Sequence, residues 1–337
     1  MKVAVWYGDK NIVLEDRPIP SIGEKDVLVR VKSSSICGAD LHAYKGLSKR
    51  RKPPLVMGHE FSGMVERLGD ETKGLKVGDR VVVEPIISCG KCKACKKGKT
   101  NVCEDRKLIG LNLDGAFAEY VSVPYEKCHE LPRDLSFDEG AIIEPLAVAV
   151  HAVNITPISS NDNVLIIGSG VIGLLITQLL RSRTSGDILV TGRRDYLLEK
   201  AREFGATDAI NVIDCDAVKT LLKKHGRVDV VFEAVGSNET VNQSISLVES
   251  GGSVTLVGML DREMTVDMME VVAREITLRG DYGYTTDDFK EAIELASSGK
   301  VDLKGLITHV LPLDEIKKGF DILAERRENV IKVVINP

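Results

Sequence analysis

The rhythm of hydrophobic and polar positions changes near residue 146. Before it, short runs rich in Val and Ile stand at residues 2–7, 11–15, 26–32, 63–68, 80–83 and 117–124, bounded by Gly, Pro and Asp. Such runs predict short strands with long connections, a β-rich domain. From 146 to 285, strand-like runs at 164–167, 188–191, 209–212, 228–234 and 253–257 alternate with helical segments. Those helices are expected from 171 to 183, 196 to 204, 217 to 225 and 238 to 248. Strands separated by helices of about 10 residues imply right-handed crossovers and a doubly wound parallel sheet. The remaining chain predicts helices at 286–298 and 314–326 and a closing strand at 331–335. It is expected to rejoin the first domain, because a ligand site needs a cleft. The expected domains are therefore residues 1–145 with 286–337, and 146–285, in an α/β protein.

Composition narrows the class. The 337 residues exceed one ordinary core, and 43% hydrophobic with 28% charged residues suits a globular chain that buries a large one. A net charge of −5 gives no field to attract nucleic acid or an anionic membrane. No window offers about 18 uninterrupted apolar residues for a membrane span, and the opening residues lack the apolar core of a signal peptide. The expected compartment is the cytoplasm, where the seven cysteines stay reduced and any clustering among them points to metal or catalysis.

The strand at 164–167 ends in Gly168-Ser169-Gly170-Val171-Ile172-Gly173 before an apolar helix. In a strand, turn and helix, Gly168 lets the chain reverse, Gly170 lets backbone approach a pyrophosphate, and Gly173 lets the helix pack close. The amides of the first helical turn then face the phosphates. Ala234 and Gly236, with Val257 and Gly258, end later strands at the same sheet edge, and Lys332 is a further candidate for the pyrophosphate.

Four of the cysteines, Cys89, Cys92, Cys95 and Cys103, share the segment 88–104 with five lysines between Lys91 and Lys99. Spacings of three, three and eight allow short turns to gather four thiolates around one tetrahedral Zn²⁺. With four protein ligands such a site is closed and structural. A second set is open. Cys37, His59 and Glu60 offer one soft, one borderline and one hard donor from two segments, and a catalytic zinc keeps a further position for water or substrate. Glu144 is a further candidate ligand. Singly, each has an ordinary explanation: a buried thiol, a core histidine, a surface charge, a helix N-terminal carboxylate.

Taken together, Cys37-Gly38 with Asp40, Gly58-His59-Glu60, the four-cysteine lobe, Glu144-Pro145-Leu146 and the glycine fingerprint resemble the zinc-dependent medium-chain dehydrogenase/reductase family over essentially the whole chain. Glu144-Pro145-Leu146-Ala147-Val148 and Val83-Glu84-Pro85-Ile86-Ile87 are similar to its polyol, 2,3-butanediol and threonine dehydrogenase branch. The resemblance implies a GroES-like catalytic domain, a Rossmann domain, a homodimer or homotetramer, and oxidation of a secondary alcohol to a ketone. It also implies that Cys37, His59 and Glu60 hold the catalytic zinc, with Glu144 a direct or water-mediated partner. Zinc then favours the alkoxide form of the alcohol, whose carbon gives a hydride to a nicotinamide.

The chain also departs from its relatives. Many carry Ser or Thr two residues after the first zinc ligand, where this chain has Ala39, so the proton relay falls to His42, a water or Glu144. An Arg-Tyr pair of polyol dehydrogenases is matched here by Gly283 and Tyr284, which weakens a sorbitol reading. Asp281, Tyr282 and Tyr284 line a cleft or pack against another subunit. The run Lys49, Arg50, Arg51, Lys52 is either a solvated loop or an attraction for a phosphorylated polyol.

The cofactor is specified more closely. The second strand of the parallel sheet runs into Gly192-Arg193-Arg194, with no carboxylate at the place that usually binds the ribose hydroxyls of NAD. Two guanidiniums there suit the 2′-phosphate of NADP, and glycine leaves it room; Asp195 is the one nearby acid. The reading is an NADP-preferring zinc enzyme, with two zinc ions per chain, acting on a polyol, sugar alcohol or vicinal diol. The alternatives are a threonine-type dehydrogenase and a zinc- and NADPH-binding protein without catalysis.

Overall fold

The computed structural model describes residues 1–258, 263–326 and 329–337. The chain divides into one unit of Met1–Pro145 with Thr285–Pro337 and another of Leu146–Tyr284.

The first unit is built around the strand Asp26–Ser35, which pairs antiparallel with Glu60–Leu68, Tyr120–Pro124 and the C-terminal strand Lys332–Asn336. Its buried side chains, Val27, Val29 and Val31, meet Phe61, Val65, Val81, Val83 and Val121 in one apolar layer. Leu28 between them is buried as well, so this central strand is covered on both faces over part of its length. A second core gathers Trp6, Ile36, Tyr44, Phe117, Phe320 and Val333, with Tyr44 stacked on Phe320 at 4.8 Å.

Register makes the functional end of this sheet. Ser35 stands opposite Glu60 on one side and Val334 on the other, and Ile36 donates its amide to the Val333 carbonyl at 3.0 Å. One residue further along, Cys37 leaves the strand at the end where Lys332 begins its own. Two donors and one cation, distant in sequence, thus reach a single sheet end.

The second unit is a six-stranded parallel sheet. Its order is Asp208–Asn211, Ile188–Gly192, Val164–Ile167, Val228–Glu233, Val248–Leu256 and Thr277–Gly280. In chain order this reads 3-2-1-4-5-6, the arrangement of a dinucleotide-binding sheet, whose order reverses between the first and fourth strands. Val164–Ile167 is buried along its whole length, because helices cover both faces; hence its unbroken apolar run. The edge strand Thr277–Gly280 escapes the hydrophobic pattern because its sequence, Thr-Leu-Arg-Gly, carries one apolar residue. In the first unit the pattern likewise misses the strand Ile307–Pro312, half of whose positions are polar or proline.

The helix Thr286–Ser297 starts on a capping box, Thr285 accepting from the Asp288 amide and Asp288 accepting from that of Thr285. Among the described residues no helix is long and apolar enough to cross a membrane.

Candidate metal and dinucleotide sites

The lobe after Ile86–Ile87 has little apolar core, and its four cysteines are what converge in it. The sulfurs of Cys89, Cys92, Cys95 and Cys103 lie within 4.8 Å of one another, and Cys92 and Cys95 are 3.5 Å apart. Tetrahedral Zn–S bonds of about 2.3 Å place sulfurs ~3.8 Å apart, so the spacing fits that ion. Backbone amides point at the sulfurs: Cys89 N–H to Cys103 Sγ at 3.4 Å, Cys92 N–H to Cys89 Sγ at 3.4 Å, Cys95 N–H to Cys92 Sγ at 3.5 Å. The Cys95 amide is the main reason that the Cys92 thiol is lowered to about 7. All seven cysteines of the chain are free thiols.

The donors of Cys37, His59 and Glu60 form the second cluster within 4.8 Å. Cys37 caps the short helix Gly38–Tyr44, and Asp40, three residues on, returns to accept the Cys37 amide at 3.2 Å. That capping box turns the Asp40 carboxylate inward, where Oδ2 lies 3.5 Å from His59 Nδ1. The other ring nitrogen, Nε2, is left for a metal, the arrangement in which an outer carboxylate fixes a ligand histidine. Burial disfavours charge on His59, but Asp40 and Cys37 overcome it and raise the imidazole well above its usual value. An anionic field strong enough to retain a proton there suits a divalent cation. The donor set fits zinc.

Glu60 is buried and held from two sides. Ser35 Oγ donates to its Oε2, and Lys332 Nζ lies 2.5 Å from the same oxygen. Lys332, a sequence candidate for the pyrophosphate, is buried and its ammonium is paired with Glu60. Although burial opposes it, the negative charge of Glu60, Cys37 and Glu144 raises the Lys332 pKa. Glu144, buried at the start of the helix Ile143–Ile155, thus contributes to the field but is not among the three clustered donors. His42, half-buried on the Gly38–Tyr44 helix, also lies outside that cluster.

Arg51 and Ser35 were not legible as site residues. Arg51 lies in a basic run that reads as a solvated loop or an attraction for a phosphorylated polyol, yet it is 7% exposed and pairs with Asp40 at 2.8 Å. The one local clue to Asp40 is its spacing of three from Cys37, which suits a capping box.

The candidate dinucleotide residues other than Lys332 lie within the second unit. Gly168 has φ +112°, a left-handed conformation that glycine adopts without strain. A Cβ on Gly173 would sit 1.9 Å from the Gly168 carbonyl oxygen, so the helix Val171–Leu180 starts against the turn only without a side chain there. Gly170 is exposed, and a Cβ on it would meet nothing within 4 Å. Val171 and Ile172 form the first helical turn. Glu233, buried at the end of the fourth strand, accepts from the amides of Val235 at 2.9 Å and Gly236 at 2.8 Å, while its carbonyl accepts from Val257 and Gly258. Ala234 donates its amide to the Ile167 carbonyl. The Glu233 carboxylate thus holds the turn after its strand, while the Glu233 carbonyl and the Ala234 amide link that strand end to its two neighbours.

At the second strand end Arg193 is exposed and Arg194 is the N-cap residue of the helix Asp195–Glu203. The Asp195 carboxylate accepts from the Asn211 side-chain amide at 2.7 Å. The space left by Gly192 is not open: Ser169 occupies it.

A GroES-like β unit with two clustered sets of zinc-type donors, joined to a dinucleotide-type sheet, defines a zinc-containing nicotinamide-dependent dehydrogenase. The alcohol dehydrogenase GroES-like domain matches residues 23–133, and the zinc-binding dehydrogenase domain matches residues 171–298. The chain is 36% identical to an L-idonate 5-dehydrogenase of Vitis vinifera, covering 99% of this chain and 94% of that one. It is 32% identical to a sorbitol dehydrogenase of Bacillus subtilis, covering 100% and 97%. A Sinorhizobium meliloti structure bound to NADP, described as a zinc-binding dehydrogenase, superposes with TM-score 0.92 at 33% identity, covering 100% and 99%. An Escherichia coli alcohol dehydrogenase complexed with NADH superposes with TM-score 0.94 at 28% identity, over the same shares. The chain belongs to the zinc-dependent medium-chain dehydrogenase/reductase family, in its polyol and threonine dehydrogenase branch, and is an oxidoreductase of that kind.

Proposed function

We propose that this chain interconverts a secondary alcohol of the polyol, sugar alcohol or vicinal diol class and its ketone, with zinc at Cys37, His59 and Glu60 and NADP(H) as the hydride carrier. The observation that carries the reading is the convergence of those three donors within 4.8 Å, in a chain that also holds the glycine fingerprint. When bound, zinc supplies a Lewis acid for the alcohol oxygen and the nicotinamide accepts the hydride. The residues around them hold and orient. Asp40 fixes the His59 ring, Lys332 and Ser35 hold Glu60, and the four-cysteine lobe takes a second, structural zinc.

The substrate class is supported by the relatives named for idonate and sorbitol. NADP is supported by Arg193 and Arg194 at the second strand end and by the engagement of Asp195 with Asn211. The solved relatives carry NADP in one case and NADH in another, so the preference for NADP rests on this chain's own residues as support. The test is a steady-state screen with NADP⁺ and NAD⁺ against polyols, sugar phosphates, butanediols and L-threonine, with zinc counted per chain. Turnover of a polyol or diol with NADP⁺ on about two zinc ions is expected. A kcat/KM advantage for NAD⁺ overturns the cofactor reading. One zinc with no alcohol oxidised favours a binding protein, and turnover of L-threonine alone assigns the amino alcohol.

A further inference from the structure

The run Lys49–Lys52 does not behave as one surface. Lys49, Arg50 and Lys52 are exposed, while Arg51 turns inward. Its Nη2 lies 2.8 Å from Asp40 Oδ1 and 3.4 Å from His59 Nδ1, and its Nη1 donates to the Ala39 carbonyl at 3.3 Å. Ala39 and Asp40 lie two and three residues after Cys37, whereas His59 sits on a separate segment. One guanidinium therefore touches the backbone of one ligand-bearing segment, the carboxylate that orients the second ligand, and the edge of that ligand's ring.

We propose that Arg51 is a positioning residue of the open metal site, clamping Ala39 and Asp40 against His59 so that Cys37 and His59 are held in register before a metal arrives. The inference rests on the zinc reading above. Asp40 has no exposed surface, and a buried carboxylate needs a cation and directed hydrogen bonds to stay in place. A planar guanidinium offers two donors in a fixed fork and can engage a carboxylate and a carbonyl together; an ammonium on a flexible stem holds neither direction. Once His59 gives Nε2 to the metal, its Nδ1–H and the Arg51 Nη2 are both donors, and they approach Asp40 together. The guanidinium charge then sits at one carboxylate oxygen and the ring N–H at the other, and the ring plane of His59 follows.

The sign of the effect separates positioning from simple charge. A cation beside a ligand histidine repels a second cation, so if charge alone mattered, removing Arg51 would tighten zinc. If Arg51 positions, removing it loosens zinc, by roughly 10- to 100-fold, as loss of outer-shell partners does. The experiment uses the full zinc-loaded chain titrated with a competing chelator, each zinc counted as it leaves, with thermal unfolding beside it. Arg51→Met is expected to weaken the open-site zinc by that factor while the lobe zinc stays bound. Arg51→Lys keeps the charge and is expected to fall between the two. Because Arg51→Met leaves Asp40 buried without its cation and can unfold the chain, Arg51→Met with Asp40→Asn is the second variant. It is expected to recover thermal stability but not zinc affinity, and Lys52→Met is expected to change neither. Open-site zinc held as tightly as in the parent, or tighter, by Arg51→Met or by the double variant overturns the proposal, as does Arg51→Lys indistinguishable from the parent. A parent chain that carries lobe zinc alone overturns instead the zinc reading on which it rests.

Discussion

A Cβ placed on Gly192 would lie 2.1 Å from the Oγ of Ser169 and 2.9 Å from its Cβ. The end of the second parallel strand and the middle of the glycine fingerprint are thus in contact, and Gly192 cannot gain a side chain while Ser169 keeps its own. A hydroxyl can rotate away, but the Ser169 Cβ cannot.

The first prediction concerns cofactor choice. Gly192→Asp, which supplies the acid that NAD-binding sheets usually present there, is expected to lower kcat/KM with NADP⁺ without raising it with NAD⁺, because the new side chain meets Ser169. Gly192→Asp with Ser169→Gly is expected to gain activity with NAD⁺. Arg193→Ala should cost NADP⁺ about 1.5–3 kcal/mol of apparent binding, the range for hydrogen bonds to charged groups, and leave NAD⁺ unchanged. The kcat/KM ratio for the two cofactors, measured for all four proteins, checks this.

The two sets of metal donors should separate under chelation. The open cluster has three protein donors and the lobe has four, so a chelator is expected to take one zinc quickly with all of the activity and the second slowly. Cys92→Ser should lower the zinc content to one and the thermal midpoint with it, since the lobe has little else to order it. Zinc analysis against time, with activity and melting followed in parallel, would show both phases. A single phase for both ions would contradict the assignment.

Lys332 and Glu60 make a further prediction. Lys332→Met leaves Glu60 buried with no cation, and breaking such a pair typically costs 3–5 kcal/mol. That loss is expected in the metal-free chain. In the zinc-loaded chain it should shrink, because Glu60 gains the metal as a counter-charge. Urea unfolding of both forms of parent and variant measures the difference; an equal loss in the two forms would mean that Glu60 does not meet the metal.

Acid stability should depend on Glu84. It is buried 2.6 Å from Lys127 and 3.3 Å from His129, and Thr286 Oγ1 donates to it at 3.0 Å. Burial alone would raise its pKa, but His129 and Lys127 together hold it below the ordinary value of 4.5. A carboxyl depressed on folding adds stability that is present above its unfolded value and is lost as pH falls through its folded value. The parent is therefore expected to lose stability below about pH 4.5. Glu84→Gln should be less stable at pH 7 by roughly 1.5–3 kcal/mol and show a flatter acid limb. Unfolding free energies from pH 7 to pH 3 decide it.

The sequence by itself determined what depends on residue type and short spacing. The glycines of the fingerprint, the four cysteines at three, three and eight, the Cys37 and His59-Glu60 donors, and the switch from short strands to strand-helix alternation are local signals, because turn geometry and ligand chemistry act over a few residues. Strands buried on both faces were visible as apolar runs, whereas the edge strand Thr277–Gly280, with one apolar residue, was not. Tertiary structure alone decided the partners. Lys332 reads as a candidate for the pyrophosphate, and only sheet register shows it beside Glu60, 272 residues away in sequence. Arg51 reads as one of four charges in a solvated or phosphate-attracting loop, and only the fold sets it against the Asp40 carboxylate. Gly192 reads as open space until Ser169 fills it. In each case the residue's chemistry is local, but the group that completes it arrives through pairing and packing, which spacing along the chain does not encode.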